Sequence, residues 1–283
     1  MLSFFEDLYR KYFVRLADKG AYLERIGLGG VDIPITKEGL DRLQFGHLCS
    51  VPFENLDIFD YDLFIDFGTD ELFDKIVTRR RGGYCFELNA LFMALLEAVG
   101  FEVHPVGVRI LMGLEGRSFV PAISHRASIV TLDGKRYYSD VGFGTTSAPG
   151  ISICIDEYGE QDIMGELYTV VDRPFNNKVI IRHAAEGSGE LFMFVPDPFN
   201  TLDFIAFNKA IQAVSFREKR MVNLRKPDGS ISIDGDIFRT TKNGERTEIR
   251  IAAAEDAAKV LRDNFGIRLS QPLREPAVSL FNP

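Results

Sequence analysis

Apolar residues recur at helical spacing in FFEDLYRKYFVRL (4–16) and KEGLDRLQFGHLCS (37–50), with breaks at GLGG (27–30), Pro34 and Pro52. Residues 1–100 are therefore expected to form a helical bundle. From Glu102 the period changes to alternation. VHPVGVRILM, SHRASIVTL, KRYYSDVGF, ELYTVVD, NKVIIRH and ELFMFV, separated by Gly, Asp and Asn turn signals, predict an antiparallel barrel or sandwich over 101–200. The remainder, 201–283, reads as mixed α/β: a helix near 202–213, strands around 216–251, and a last helix ending at Gly266. The fold class expected is α+β.

The segment RRRGGYCFELNALFMALLEAVG (79–100) carries the most chemistry. Leu88, Leu91, Phe92, Leu95, Leu96 and Val99 share one helical face, and Gly100 fits the C-terminal stop. Gly82 and Gly83 allow the tight path that brings Cys85 to the first helical turn, where the helix dipole and unpaired N–H groups favour an anion. A buried cysteine can equally be a small hydrophobe, so a reactive role needs a partner imidazole.

The chain has four histidines, His47, His104, His125 and His183, and none has metal-ligand spacing. His125 opens SHRASIVTLDGKRYYSDVGFG, where Asp133-Gly134 is a two-residue hairpin turn. That turn sets Leu132 against Lys135 and His125 opposite Gly142. It puts His125, Ala127, Tyr138, Asp140 and Gly142 on one face, with Asp140 diagonal to His125. A carboxylate there can orient the ring towards Cys85, which predicts a Cys-His-Asp nucleophilic site.

Composition supports an ordered cytosolic enzyme. Across 283 residues, 46% are apolar, 26% are charged and 24 are Phe, enough to build a large core. The formal charge of −8 disfavours a phosphate-backbone partner, so no nucleic acid is expected. No stretch is long enough to span a membrane. Cys49, Cys85 and Cys154 are too few for a disulfide framework or a zinc site and fit a reducing compartment. Oligomeric state is left open.

RIG (25–27), VPFENL (51–56), RGGYCFELN (81–89), the later His125 and DVGFG (140–144) together resemble the arylamine N-acetyltransferases. The resemblance implies a helical bundle, a β-barrel and an α/β lid with a papain-like site. It implies acetyl-CoA as co-substrate, no metal, and acetylation of arylamines or arylhydrazines by a ping-pong reaction. Cys85 would carry the acetyl group, His125 would act as base and Asp140 as orienter. Phe53, Phe143 and Phe216 would line the amine pocket, while Arg81 and Asn89 would brace the site. KAIQAVSF (209–216) departs from the family pattern, and the coenzyme contacts are unassigned. A polyketide-type amide synthase or a cysteine hydrolase or transglutaminase could use the same three residues, and a non-catalytic binder would leave Cys85 inert.

Overall fold

The computed structural model describes residues 6, 11–12, 15–116, 118–145, 148–184 and 187–275; most of the helix expected over 4–16 lies outside them. Two capped helices open the described chain. Asp18 accepts from the Ala21 N–H to start α1 (Lys19–Arg25), and Thr36 accepts from the Gly39 N–H to start α2 (Lys37–Ser50). After the two-residue strand β1 (Phe53–Glu54) come the single turn α3 (Leu56–Phe59) and α4 (Thr69–Phe73), which runs into a π-helical turn over Asp74–Thr78. Helix α5 (Cys85–Val99) is the centre of this region and ends on Gly100 at φ 115°. Its sequence pattern suggested one buried face, yet every residue from Cys85 to Leu96 except Ala90 is buried. Strands on one side and helices on the other enclose it.

Eight antiparallel strands follow: β2 (Glu102–Ile110), β3 (His125–Leu132), β4 (Lys135–Ser139), β5 (Ile153–Cys154), β6 (Gln161–Ile163), β7 (Glu166–Arg173), β8 (Asn177–Ala184) and β9 (Gly187–Phe194). They pair in the order β5-β4-β3-β2-β9-β8-β7-β6, a nearly closed barrel. The seam between β5 and β6 is bridged by one side chain: Gln161 accepts from the Cys154 N–H at 2.9 Å and donates to its carbonyl at 2.7 Å. Alternation divides β3 between two cores. Ala127 and Ile129 face the barrel interior with Tyr138, Phe192 and Phe194, whereas Val130 and Leu132 face the helices.

The C-terminal part holds α6 (Asp203–Val214), β10 (Met221–Lys226), β11 (Gly229–Asp234), β12 (Ile237–Lys242), β13 (Glu245–Arg250) and α7 (Ala254–Phe265), which ends on Gly266. Four of these strands form a meander whose fifth member is β1, with Phe53 opposite Asn223 and Glu54 opposite Val222. Helix α7 lays Ala257, Leu261 and Phe265 onto Val222, Leu224 and Phe238 in a third core. Among the described residues, no helix is long and apolar enough to cross a membrane.

Candidate active site

The path into α5 is built for close approach. Glu54 N–H donates to the Gly83 carbonyl at 2.8 Å, and a Cβ on Gly82 would sit 2.0 Å from the Pro52 carbonyl oxygen. A buried ion network fixes the loop from below. Arg81 pairs with Glu54 at 2.7 Å and with Asp57 at 2.8 Å, and Lys75 pairs with Asp57 and Glu87 at 2.7 Å each. Glu87 also accepts from the Tyr84 N–H at 3.0 Å, closing the capping box immediately before Cys85. Arg79 pairs instead with Asp74 on the surface.

Cys85 is 3% exposed at the first position of α5. Its sulfur lies 4.0 Å from the Ser124 carbonyl oxygen and is a hydrogen-bond partner of the His125 ring. His125 Nε2 and Asp140 Oδ2 are 2.6 Å apart, both side chains fully enclosed. An ionised carboxylate only accepts, so Nε2 carries the proton and Nδ1 is the ring's remaining nitrogen. Burial acts to lower the affinity of His125 for a proton, but the Asp140 charge and hydrogen bond, with the Cys85 sulfur, outweigh it and raise its pKa to about 10. Burial likewise opposes ionisation of Asp140, yet His125, Asn89 and the Gly142 N–H hold its pKa below the usual carboxylate value.

Asp140 accepts four hydrogen bonds. Oδ2 takes His125 and the Tyr138 hydroxyl at 2.9 Å; Oδ1 takes the Asn89 amide and the Gly142 N–H, each at 2.8 Å. Asn89 stands one turn after Cys85 on α5, and its carbonyl oxygen accepts from the Val141 N–H at 2.9 Å. One helical turn thus presents Cys85 and holds the residue that orients His125.

The hairpin register is as expected over its paired length, from Leu132↔Lys135 to Ser128↔Ser139. The expected continuation through DVGF is corrected: β4 stops at Ser139, and His125 has no ladder partner in Gly142. Asp140–Gly144 leaves the sheet because its N–H groups are taken by Asn89 and Asp140 and because Gly142 presses on α5. A Cβ there would lie 2.8 Å from Cys85 Cα.

Phe53, Cys85, His125, Phe143 and Phe216 all line one cavity of about 200 Å³, with Asp140 behind the ring. Sequence reasoning did not single out Ile110, Ile211, Ser215 or Met221, which complete its walls and come from three separate regions of the chain. Apart from Cys85 and His125 themselves, no ionisable side chain lines it among the described residues. Phe216 holds the left-handed conformation at φ 65°; its carbonyl accepts from the Asn55 amide at 2.9 Å, and its ring meets those of Phe53 and Tyr84. A second cavity of about 300 Å³ shares Phe53, Phe143 and Thr145 and is lined by Arg182 and Arg225. The other histidines sit elsewhere: His47 is bonded to Tyr22, His104 to the Pro196 carbonyl, and His183 to Thr169 and Ser188. No group of three or more His, Cys, Asp or Glu able to hold a metal occurs among the described residues.

The arrangement joins a thiol, a proton-holding imidazole and an orienting carboxylate beside an apolar cavity, which suits acyl transfer. A profile of the N-acetyltransferase family matches residues 36–274. The chain is 30% identical to the arylamine N-acetyltransferase of Mycolicibacterium smegmatis over 89% of its length and 92% of that protein. It is 27% identical to human arylamine N-acetyltransferase 1, over 90% of this chain and 96% of the other. The structure of the Mycobacterium marinum arylamine N-acetyltransferase in complex with CoA superposes with a TM-score of 0.80 at 28% identity, covering 88% and 93% of the two chains. This chain is a member of the arylamine N-acetyltransferase family.

Proposed function

We propose that the protein transfers the acetyl group of acetyl-CoA to arylamines and arylhydrazines through an acetyl-Cys85 intermediate. The observation that carries this reading is the Cys85, His125 and Asp140 constellation opening into a Phe-lined cavity with no other ionisable side chain among the described residues. In the first half-reaction the Cys85 sulfur forms a bond to the thioester carbonyl carbon as its proton is taken by His125. N–H groups of the first turn of α5, which an α-helix leaves without internal acceptors, stabilise the oxyanion. The carbon–sulfur bond to CoA then breaks, and His125 supplies the proton to the departing thiolate. In the second half, the amine nitrogen attacks the acetyl-Cys85 carbonyl, His125 takes its proton, and Cys85 leaves as a thiolate.

Phe53, Phe143 and Phe216 form the acceptor wall. A cavity without a counter-charge penalises a protonated alkylamine and admits an arylamine, which is neutral near pH 7. On the adjoining cavity Arg225 is the cation set to meet CoA phosphates, while Arg182 is paired there with Glu166 at 2.6 Å.

The test is mass spectrometry of the protein after incubation with acetyl-CoA. One acetyl increment should map to Cys85 and vanish on adding an arylamine. Acetyl-CoA turnover with no labelled Cys85, even under rapid quench, would rule out the covalent route.

A further inference from the structure

His125 and Arg126 are consecutive on β3, so their side chains point to opposite faces of the sheet. His125 serves the site described above. Arg126 enters the helical side, is 1% exposed, and has no carboxylate in bonding distance among the described residues. Among the described residues its Nε and Nη1 have no hydrogen-bond partner and Nη2 reaches only the Met93 sulfur at 3.7 Å, while the guanidinium lies over the Phe204 ring at 4.7 Å. A buried guanidinium in this state is costly, because neither ion pairing nor hydrogen bonds replace its lost hydration. Burial pulls its pKa down to about 9 against the pull of the more distant Glu97.

Arg126 forms part of the wall of a cavity of about 410 Å³ that the catalytic reading does not use. The exposed Arg15 adds a second cation, Thr201 and Asn200 add polar groups, and Phe67, Met93 and Phe199 supply an apolar floor. Two cations face one acid, Glu97. That combination, two cations with an apolar floor, fits an anion with a hydrophobic body.

We propose that this cavity is a binding site for a small organic monocarboxylate, with Arg126 and Arg15 as its cationic anchors. The carboxylate supplies the partner that the guanidinium lacks, and the body of the ligand packs on the Phe67 and Phe199 side. The site shares no lining residue with the Cys85 cavity, so its occupant is distinct from the acetyl acceptor.

Benzoate is a suitable probe, titrated calorimetrically into the full chain before and after alkylation of Cys85 and a carboxymethyl block of its cavity. Saturable binding should survive the block. Arg126→Met should weaken it about 10- to 100-fold, the loss expected for a hydrogen-bonded charge pair. Removing an uncompensated charge should also leave Arg126→Met at least as stable as the parent. If that variant does not fold, Arg15→Ala, at an exposed position, should still weaken binding severalfold. Inorganic phosphate, lacking an apolar body, should bind more weakly. The proposal fails if benzoate binding disappears when the Cys85 cavity is blocked. It also fails if neither arginine variant changes affinity, or if phosphate binds as tightly as benzoate.

Discussion

Replacing Asp140 by Asn removes one charge and adds one pair of donors where every neighbour is already a donor. Four groups aim hydrogens at this carboxylate: His125 and Tyr138 at Oδ2, Asn89 and the Gly142 N–H at Oδ1. An Asn amide must turn its NH2 towards one of these pairs. The Oδ1 side has a backbone N–H and an amide that is also engaged with the Arg126 carbonyl, so the NH2 takes the Oδ2 side. There the Tyr138 hydroxyl can rotate to accept, and His125 can accept only by moving its proton from Nε2 to Nδ1. The variant ring, neutral with its proton on Nδ1, therefore has no free nitrogen to take the Cys85 proton, which the parent ring can take. The electrostatic loss points the same way. Holding the His125 proton up to about pH 10 instead of 6.5 corresponds to about 5 kcal/mol in favour of the imidazolium, most of it from Asp140. Without that charge, burial opposes protonation with only the Cys85 sulfur left to favour it, and the ring is neutral at pH 7. The acetylation rate of Cys85 should fall on the order of 10⁴-fold, as for the equivalent change in a serine triad. Stopped-flow acetylation measures this, and iodoacetamide alkylation of Cys85 across pH 6 to 10 gives an independent readout. The variant should lag most at low pH and converge with the parent in alkali. Unchanged acetylation and alkylation at pH 6 to 7 would refute both the charge and the tautomer arguments.

Further outcomes follow from the same contacts. Cys85→Ala should abolish transfer with an unchanged circular dichroism spectrum and thermal midpoint, since a small side chain at a helix start removes little packing. Gly142→Ala drives a methyl to 2.6 Å from the Asn89 amide and 2.8 Å from Cys85 Cα. It should cost about 1 to 3 kcal/mol in urea unfolding and slow acetylation more than it changes substrate affinity. Asn89→Ala leaves Asp140 Oδ1 and the Val141 N–H short of a partner, so a loss of about 1 to 3 kcal/mol of stability should accompany a downward shift of the His125 titration seen by NMR. Stability should also depend on alkali. His125 binds its proton more tightly folded than unfolded, so its contribution is complete below pH 6.5 and is lost as pH rises to about 10. The urea midpoint should fall over that interval, and in Asp140→Asn the slope should flatten.

The parts of the fold set by local pattern were legible in the sequence. The Asp133-Gly134 turn fixes the β3–β4 register, and the double glycine before Cys85 fixes where α5 begins. What escaped depends on contacts between distant segments. Phe53 and Glu54 fall in the region expected to be helical, just past the break at Pro52, but they become a strand because β10, some 170 residues later, offers them an edge. DVGF reads as a strand by alternation, but the demand of α5 on Asn89, Asp140 and Gly142 takes it out of the sheet. The cations beside the second cavity were invisible for the same reason. Arg182 lies on β8 and Arg225 on β10, in separate sheets, and no short basic cluster in the chain marks them.

The pairing of β1 with β10 has a kinetic consequence. Cys85, His125 and Asp140 are all synthesised within the first 140 residues, but the Phe53 wall of their pocket is bridged to Gly83 on one side and to Asn223 on the other. Contacts of such sequence separation form late in folding, because closing the intervening loop must come first. A growing chain therefore has the reactive groups long before it has the enclosure that excludes water from an acetyl-thioester. On the proposed mechanism, completion of the C-terminal sheet would be the event that encloses Cys85, His125 and Asp140 against water.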